Sequence, residues 1–277
     1  TLEYTVTGTP SGAGTANLNL SNIGNMGVAC NNSNIGVNVT AIGDPNYDNV
    51  SLLLRGNQAP SLVPVDESPR IKTVTPFRTA GVSTSEYKYG NSSLSFSPSL
   101  PNPGNNDFFT ISASSDFDFG TGDFTIEAWI KWFGSYTQGL EVQSIYSIGP
   151  SGSELQRSFV LSQGDSGGIY GISFVADSYR FTGGAPPPSG QWSHVAVTRQ
   201  QGNLRIFVNG GLRSSGNFTG QVGFSNQSPK IGGRADSSDM PFNGYIDDLR
   251  VTKNLARYTA NFNPPTTELS SGNTLTY

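Results

Sequence analysis

Apolar and polar positions alternate with a period of two along much of the chain. That spacing puts one set of side chains on each face of a strand. The run Phe124-Thr125-Ile126-Glu127-Ala128-Trp129-Ile130 sets Phe124, Ile126, Ala128 and Ile130 against Thr125, Glu127 and Trp129. Val195, Val197 and Arg199 likewise oppose His194, Ala196 and Thr198. Further strands are predicted at 51–54, 94–96, 108–111, 124–132, 143–148, 158–161, 170–176, 194–199, 204–208 and 245–252. Gln201-Gly202-Asn203 and Asn209-Gly210 are turn signals on either side of 204–208, which makes that region an antiparallel meander. A helical turn is predicted only at Asn254-Leu255-Ala256-Arg257-Tyr258, where Pro264-Pro265 would stop it. Hairpins this closely spaced indicate an all-β, two-sheet antiparallel sandwich or jelly roll rather than a parallel sheet.

Residues 1–45 follow a different rhythm. Leu2-Glu3-Tyr4-Thr5-Val6, Ala16-Asn17-Leu18-Asn19-Leu20 and Ile35-Gly36-Val37-Asn38-Val39 alternate, with Gly and Asn between them and almost no aromatic or charged residue. Three or four such strands are too few for an independent core. They are expected to pack on the main domain, a sister subunit or a neighbouring protein. The division expected is therefore a short β-rich docking segment at 1–45, a sandwich at 46–270 and a C-terminal tail at 271–277.

Composition narrows the function. Charged residues make up 13% of the chain, about half the usual share. The net charge is −4 and no basic run occurs, so nucleic acid is not an expected partner. No stretch approaches the ~20 apolar residues that span a bilayer, so membrane insertion is not expected. Cys30 is the only cysteine; an intramolecular disulfide is impossible, and its apolar setting reads as a small buried hydrophobe rather than a reactive thiol. A large extracellular domain without disulfides suits a phage or bacterial product.

Four segments carry a family resemblance. Phe119-Gly120-Thr121-Gly122-Asp123-Phe124-Thr125-Ile126-Glu127-Ala128-Trp129 resembles a strand of laminin-G-like, concanavalin A-like modules. Gln191-Trp192-Ser193-His194-Val195-Ala196-Val197, leading to Leu204-Arg205-Ile206-Phe207-Val208-Asn209-Gly210, resembles their next strand and hairpin. Phe242-Asn243-Gly244-Tyr245-Ile246-Asp247-Asp248-Leu249-Arg250-Val251 resembles their closing strand. Ala256-Arg257-Tyr258-Thr259-Ala260-Asn261-Phe262 resembles an extension found in bacteriophage tail and virion proteins. The resemblance implies a concanavalin A-like jelly roll on a virion surface, with other virion proteins as partners, a homo-oligomer (a trimer by analogy with phage fibres) and host surface polysaccharide as ligand. A secreted or cell-surface bacterial lectin or carbohydrate-binding module is the alternative. Trp129 and Trp192 are expected to be core or rim packing residues.

The candidate chemistry is sparse. Glycosidases of this sandwich carry alternating acids on one strand face, because retaining hydrolysis needs two carboxyls ~5 Å apart. Here Glu127 stands alone, with Thr125 and Trp129 at i±2; it reads as a hydrogen-bonded or rim carboxylate, and no catalytic residue or enzymatic activity is expected. His194, the single histidine, reads as structural. Asp116-Phe117-Asp118-Phe119-Gly120-Thr121-Gly122-Asp123 departs from the calcium-loop template at Thr121. It reads as a turn with solvated acids anchored by its two phenylalanines. Asp247 and Asp248 are the better calcium candidates by the resemblance, though alternation lets at most one serve a given site. The alternative is that one caps a loop and the other pairs with Arg250 or Arg234. No metal or cofactor is required on this reading. For ligand binding, Tyr179, Arg180 and Phe181 precede a flexible Gly/Pro segment at 182–190. Aromatic faces beside an arginine suit a sugar, and a Pro-rich loop equally suits a subunit contact.

Overall fold

The computed structural model describes residues 14–18, 35–58, 63–96, 107–134, 142–149, 157–162, 170–176, 179–222, 226–234, 241–270 and 272–276. The chain separates into two units, Thr1–Asp48 with Ser270–Tyr277, and Asn49–Leu269. In the first, β1 (Gly14–Leu18) and β18 (Asn273–Thr276) pair antiparallel with either side of β2 (Ile35–Gly43). Residues assigned from sequence to a tail thus supply a strand of this sheet. Cys30 and residues 2–6 lie outside the described residues.

The second unit is a sandwich of two antiparallel sheets. One runs β12 (Tyr179–Thr182), β11 (Gly171–Ala176), β10 (Arg157–Ser162), β9 (Val142–Ile148), β16 (Lys230–Ile231), β7 (Phe108–Ile111), β4 (Val74–Phe77). The other runs β15 (Gly211–Asn217), β14 (Asn203–Val208), β13 (Trp192–Gln200), β8 (Phe124–Trp132), β17 (Gly244–Lys253), β6 (Ser93–Phe96), β5 (Gly81–Ser83), and β3 (Val50–Leu54) also pairs with β17. Alternation decides what fills the space between them. Phe124, Ile126, Ala128 and Ile130 of β8, and Val195 and Val197 of β13, enter one buried core with Phe159 and Leu161 of β10 and Phe174 of β11. Phe124 meets Phe174 across the sheets at 6.0 Å, and Phe96 meets Phe109 edge-on at 5.5 Å. Each such side chain contributes about 1.5–3 kcal/mol by leaving water.

The hairpins form at the turn signals. Gln201 and Gly202 (φ 48° and 81°) join β13 to β14, and Asn209 and Gly210 (φ 50° and 76°) join β14 to β15. Two consecutive left-handed residues match the strand twist of a two-residue hairpin. Arg199 shares the inward face of β13, where its guanidinium donates to the carbonyls of Gly120, Gly122 and Gly220 and lies 5.1 Å from the Phe124 ring. Helix among the described residues is confined to two 3-10 turns, Tyr47–Asn49 and Ser115–Phe117. The helical turn expected at 254–258 is absent. Asn254 sits at φ 62°, and the backbone beyond it bonds to the sheet: Thr125 Oγ1 donates to Leu255 O and accepts from Arg257 N, and Thr198 Oγ1 donates to Tyr258 O.

Candidate functional site

Strand β12 carries the three residues singled out for ligand binding, and its alternation divides them. Tyr179 and Phe181 turn inward, stacked at 6.1 Å and packed against the core; Tyr179 also meets Phe218 at 4.9 Å and donates to Asn217 O. Arg180, between them, takes the opposite face and is exposed. The two rings close the gap between the edge strands β12 and β15, with Phe181 against Gly216. The neighbouring Gly/Pro segment, expected to be flexible, is fastened at several points. Gly183 N bonds Ile172 O, Gly190 N bonds Trp132 O, and Trp132 Nε1 donates to Pro187 O.

Glu127 is not alone once the sheet forms. Its cross-strand partners are Ala196 and Arg250. Arg250 donates through Nε (2.9 Å) and Nη2 (2.7 Å) to Oε1, Tyr258 Oη donates to Oε2 at 2.6 Å, and His194 Nε2 lies 3.2 Å from Oε2. Glu127 is fully buried. Burial alone would raise its pKa, but Arg250, His194 and Arg257 outweigh it and hold the carboxyl well below the usual range. Such a group stays ionised and cannot serve as a general acid near neutral pH. Burial, with the Glu127 charge next, pushes the Tyr258 hydroxyl up.

The segment that follows β17 is what covers this site. Residues 255–269 cross the outer face of the eight-stranded sheet as a strap. Tyr258 and Phe262 stack on one another and each sets an edge toward His194. Phe262 N bonds Gly210 O, Tyr89 Oη donates to Pro265 O, and Leu269 N donates to Asp248. A Cβ on Gly210 would come within 1.9 Å of Phe262 O, so only glycine admits the strap here. Trp129 lies on the same outer face, 7% exposed, under the Lys88 ammonium at 4.1 Å and edge-on to Tyr89.

Asp247 and Asp248 overturn the alternation assumed for them. A β-bulge shifts the register between Asp247 and Arg250, and Asp248 adopts φ 49°. The extra residue leaves both carboxylates buried, each 1% exposed, between the inward-facing Ile246 and Leu249. Asp247 accepts from the amides of Lys88, Tyr89 and Asp248, and Asp248 from that of Leu269. Both cap loops, and Arg250 pairs with Glu127 instead. Amide donors take both oxygens of Asp247 and Oδ2 of Asp248, while Asp248 Oδ1 is buried without a hydrogen-bond partner among the described residues. Burial raises Asp247 to about 6, with the charge of Glu268 adding to the shift, and Asp248 to about 8, with the charges of Asp247 and Glu268 adding.

The acids of 116–123 are likewise engaged rather than solvated. Asp116 pairs with Lys72 at 2.6 Å and Arg70 at 2.9 Å. Burial would raise it, but those two cations hold it below its ordinary value. Asp118 accepts from Gly120 N and Asp123 from Gln201 N, while Phe117 and Phe119 anchor in the core.

One surface feature escaped the sequence reading. Phe77, 42% exposed, stacks on Phe108 at 4.5 Å on the outer face of the seven-stranded sheet. Arg78 lies 5.4 Å from the Phe77 ring and Lys230 4.3 Å from the Phe108 ring. The signal was the pair Phe108-Phe109: consecutive strand residues cannot both face the core.

Comparison with known proteins follows from this fold. Residues 103–256, more than half the chain, match the family model of the concanavalin A-like lectin/glucanases superfamily. No curated protein sequence matches significantly. Among solved structures, domain 4 of AbnA, a GH43 extracellular arabinanase from Geobacillus stearothermophilus, in complex with arabinotriose, aligns with a TM-score of 0.53 at 18% identity, covering 74% of this chain and 92% of that one. The botulinum neurotoxin serotype D binding domain aligns at 0.53 and 15%, covering 77% and 50%. The binding domain of Paraclostridial Mosquitocidal Protein 1 aligns at 0.50 and 13%, covering 76% and 50%. The chain thus spans about half of each toxin binding domain, and identities this low establish the fold alone. With the strand order, the core and the family match in agreement, the chain belongs to the concanavalin A-like lectin/glucanase superfamily, in its laminin-G-like branch.

Proposed function

We propose that this chain is a non-catalytic, glycan-binding surface module of a bacteriophage virion or tail. Glu127 carries the reading. In a superfamily of lectins and glucanases, the carboxylate at the middle of the outer sheet face is buried under a strap, ionised and bound by Arg250, His194 and Tyr258. That arrangement supports binding without cleavage. The strap also supports the phage assignment, since its residues carry the resemblance to tail and virion proteins. Residues 1–45 then dock the module to other virion proteins in a cyclic homo-oligomer, a trimer by analogy with phage fibres, at the virion surface. The alternative, a secreted or cell-surface bacterial carbohydrate-binding module, is favoured by the likeness to a domain of an extracellular arabinanase.

Purified chain on an array of bacterial surface polysaccharides tests the reading. Retention without release of reducing ends is expected. Release that disappears in Glu127→Gln would show an enzyme. Immunogold labelling of phage particles separates the two locations. Deleting residues 1–45 should abolish incorporation while leaving the sandwich folded.

A further inference from the structure

We propose that Phe133, Tyr245, Trp192, Lys131 and Glu86, on the outer face of the eight-stranded sheet beside the strap, form a subsite for a neutral pyranose unit of a polysaccharide. The proposal rests on the glycan-binding reading and names the site and the ligand class for it. Strand register builds the site. Tyr245 of β17 and Trp192 of β13 both pair with Lys131 of β8, so the three stand in one row on one face. In the next row of that face, Asp247, Trp129 and His194 are 1%, 7% and 1% exposed, beneath the strap and the loop carrying Lys88 and Tyr89. The face opens at the Lys131 row, where all three residues are half-buried, and Phe133, the next outer residue of β8, is 37% exposed. Phe133 meets Tyr245 edge to face at 6.2 Å. In that geometry each ring has at least one face that the other does not cover. Trp192 Nε1 is buried, so its side chain shows solvent only carbon. Between Tyr245 and Trp192, the Lys131 ammonium pairs with Glu86 Oε1 at 2.8 Å, and the Glu86 side chain is 39% exposed. A surface ion pair of this kind adds only about 0–1 kcal/mol to stability. Its chemistry suits a sugar, whose hydroxyls donate to the carboxylate and accept from the ammonium while its C–H face lies on the rings. The pairing also sets the ligand class. Glu86 neutralises Lys131, so an acidic sugar gains no net attraction and meets a carboxylate, whereas a neutral sugar uses both groups.

The polar pair is held in place. Glu86 lies in the loop joining β5 to β6, and the buried Ser93 donates through Oγ to Glu86 O at 2.7 Å. Asp247 fixes the same loop by accepting from the amides of Lys88 and Tyr89 at 2.8 and 3.1 Å. Tyr89 Oη in turn donates to Pro265 O, so the loop and the strap secure one another beside the rings. Groups set in position before the ligand arrives bind it with less loss of freedom. A second copy of the chain is the other occupant that exposed rings could take. The centre of a protein–protein interface is depleted of charged residues, and here an ion pair stands at the centre of the row, which favours the glycan.

The test uses the full chain in affinity electrophoresis through gels containing galactan, dextran, mannan or any neutral polysaccharide retained on the array, with polygalacturonate as the acidic comparison. Retardation by a neutral polymer is expected. Phe133→Ala removes a ring, and Glu86→Gln removes the charge of the carboxylate while keeping its shape. Both side chains reach solvent, so both variants should melt within a few degrees of the parent. Each should weaken retardation by about tenfold or more, the loss expected of one recognition group. Glu86→Gln separates sugar recognition from plain apolar docking, which it would leave intact. Light scattering should give parent and Phe133→Ala the same mass. If either variant is retarded like the parent, if only polygalacturonate retards the chain, or if Phe133→Ala has a lower mass than the parent, the subsite is wrong and the glycan-binding reading survives. If no polymer on these gels or on the polysaccharide array is bound, both fall.

Discussion

Replacing Arg250 by leucine isolates the energetics of the Glu127 site. Arg250 and Glu127 have side-chain exposures of 7% and 0%, and two of the guanidinium nitrogens donate to one carboxylate oxygen. Arg250→Leu leaves an ionised group buried with His194, Tyr258 and, at 4.0 Å, Arg257. Removing one partner of a buried pair costs about 3–5 kcal/mol. For a unit of this size that is a fall in melting temperature of roughly 6–20 °C. Replacing both partners by leucine removes the stranded charge and leaves only His194 and Tyr258 short of an acceptor, about 1–3 kcal/mol each. The double substitution should therefore cost well under the sum of the two single ones. The sign with pH follows from the protonation. In the parent the folded pKa of Glu127 is depressed, so its stabilisation is present above its unfolded pKa and is lost as pH falls. Without Arg250, burial dominates and the carboxyl titrates higher, so the defect is largest at neutral pH and shrinks toward pH 4.5. Urea denaturation of parent and variants at pH 7 and 4.5, with m-values compared, measures both effects. A cost below about 1 kcal/mol at pH 7, or a larger defect at pH 4.5 than at 7, would refute the reasoning.

Asp247 and Asp248 act with the opposite sign. Their folded pKa values, about 6 and about 8, lie above the unfolded one, so the stability they contribute is present at acid pH and is lost as pH rises through those values. Thermal melting from pH 5 to 9 should decline, and Asp248→Asn should flatten the decline; an unchanged slope in the variant contradicts the assignment. Gly210→Ala, with a left-handed φ and Phe262 O in the way, should cost more than about 1 kcal/mol. It should also speed trypsin cleavage after Arg257, read by mass spectrometry. Tyr179→Ala should destabilise by about 2–3 kcal/mol and Arg180→Ala by less than about 0.5 kcal/mol, measured by chemical denaturation. Equal effects would mean that the three residues of β12 act as one surface.

The sandwich was legible because both faces of its strands obey alternation. Phe124, Ile126 and Ala128 could be assigned to a core before any partner strand was known, and Asn209-Gly210 marked its hairpin by backbone preference alone. The site was less legible because it depends on departures from those rules. At Asp247 and Asp248 a bulge breaks the period of two, and nothing local to the sequence marks the extra residue. Leu255-Ala256-Arg257 favours a helix by propensity; it is irregular instead, and hydroxyls of Thr125 and Thr198, far away in the chain, take the backbone of Leu255, Arg257 and Tyr258. Glu127 looked isolated because Arg250 and Tyr258 reach it only across strands. Phe77 and Phe108 become neighbours through strand pairing that no short-range pattern announces.

Strand β17 lies between β8 and β6, and β3 pairs with it as well. During synthesis, residues 50–54 and 93–96 therefore emerge about 150–200 positions before the strand that joins them to β8. Until residues 244–253 arrive, the larger sheet lacks the strand that joins β15–β14–β13–β8, the pair β6–β5 and the single strand β3, and their open edges can pair with another chain. Loop closure over such separations is slow. Completion of this sheet consequently waits for its last-made strand, and the interval before it exposes unpaired edges of the nascent chain to aggregation.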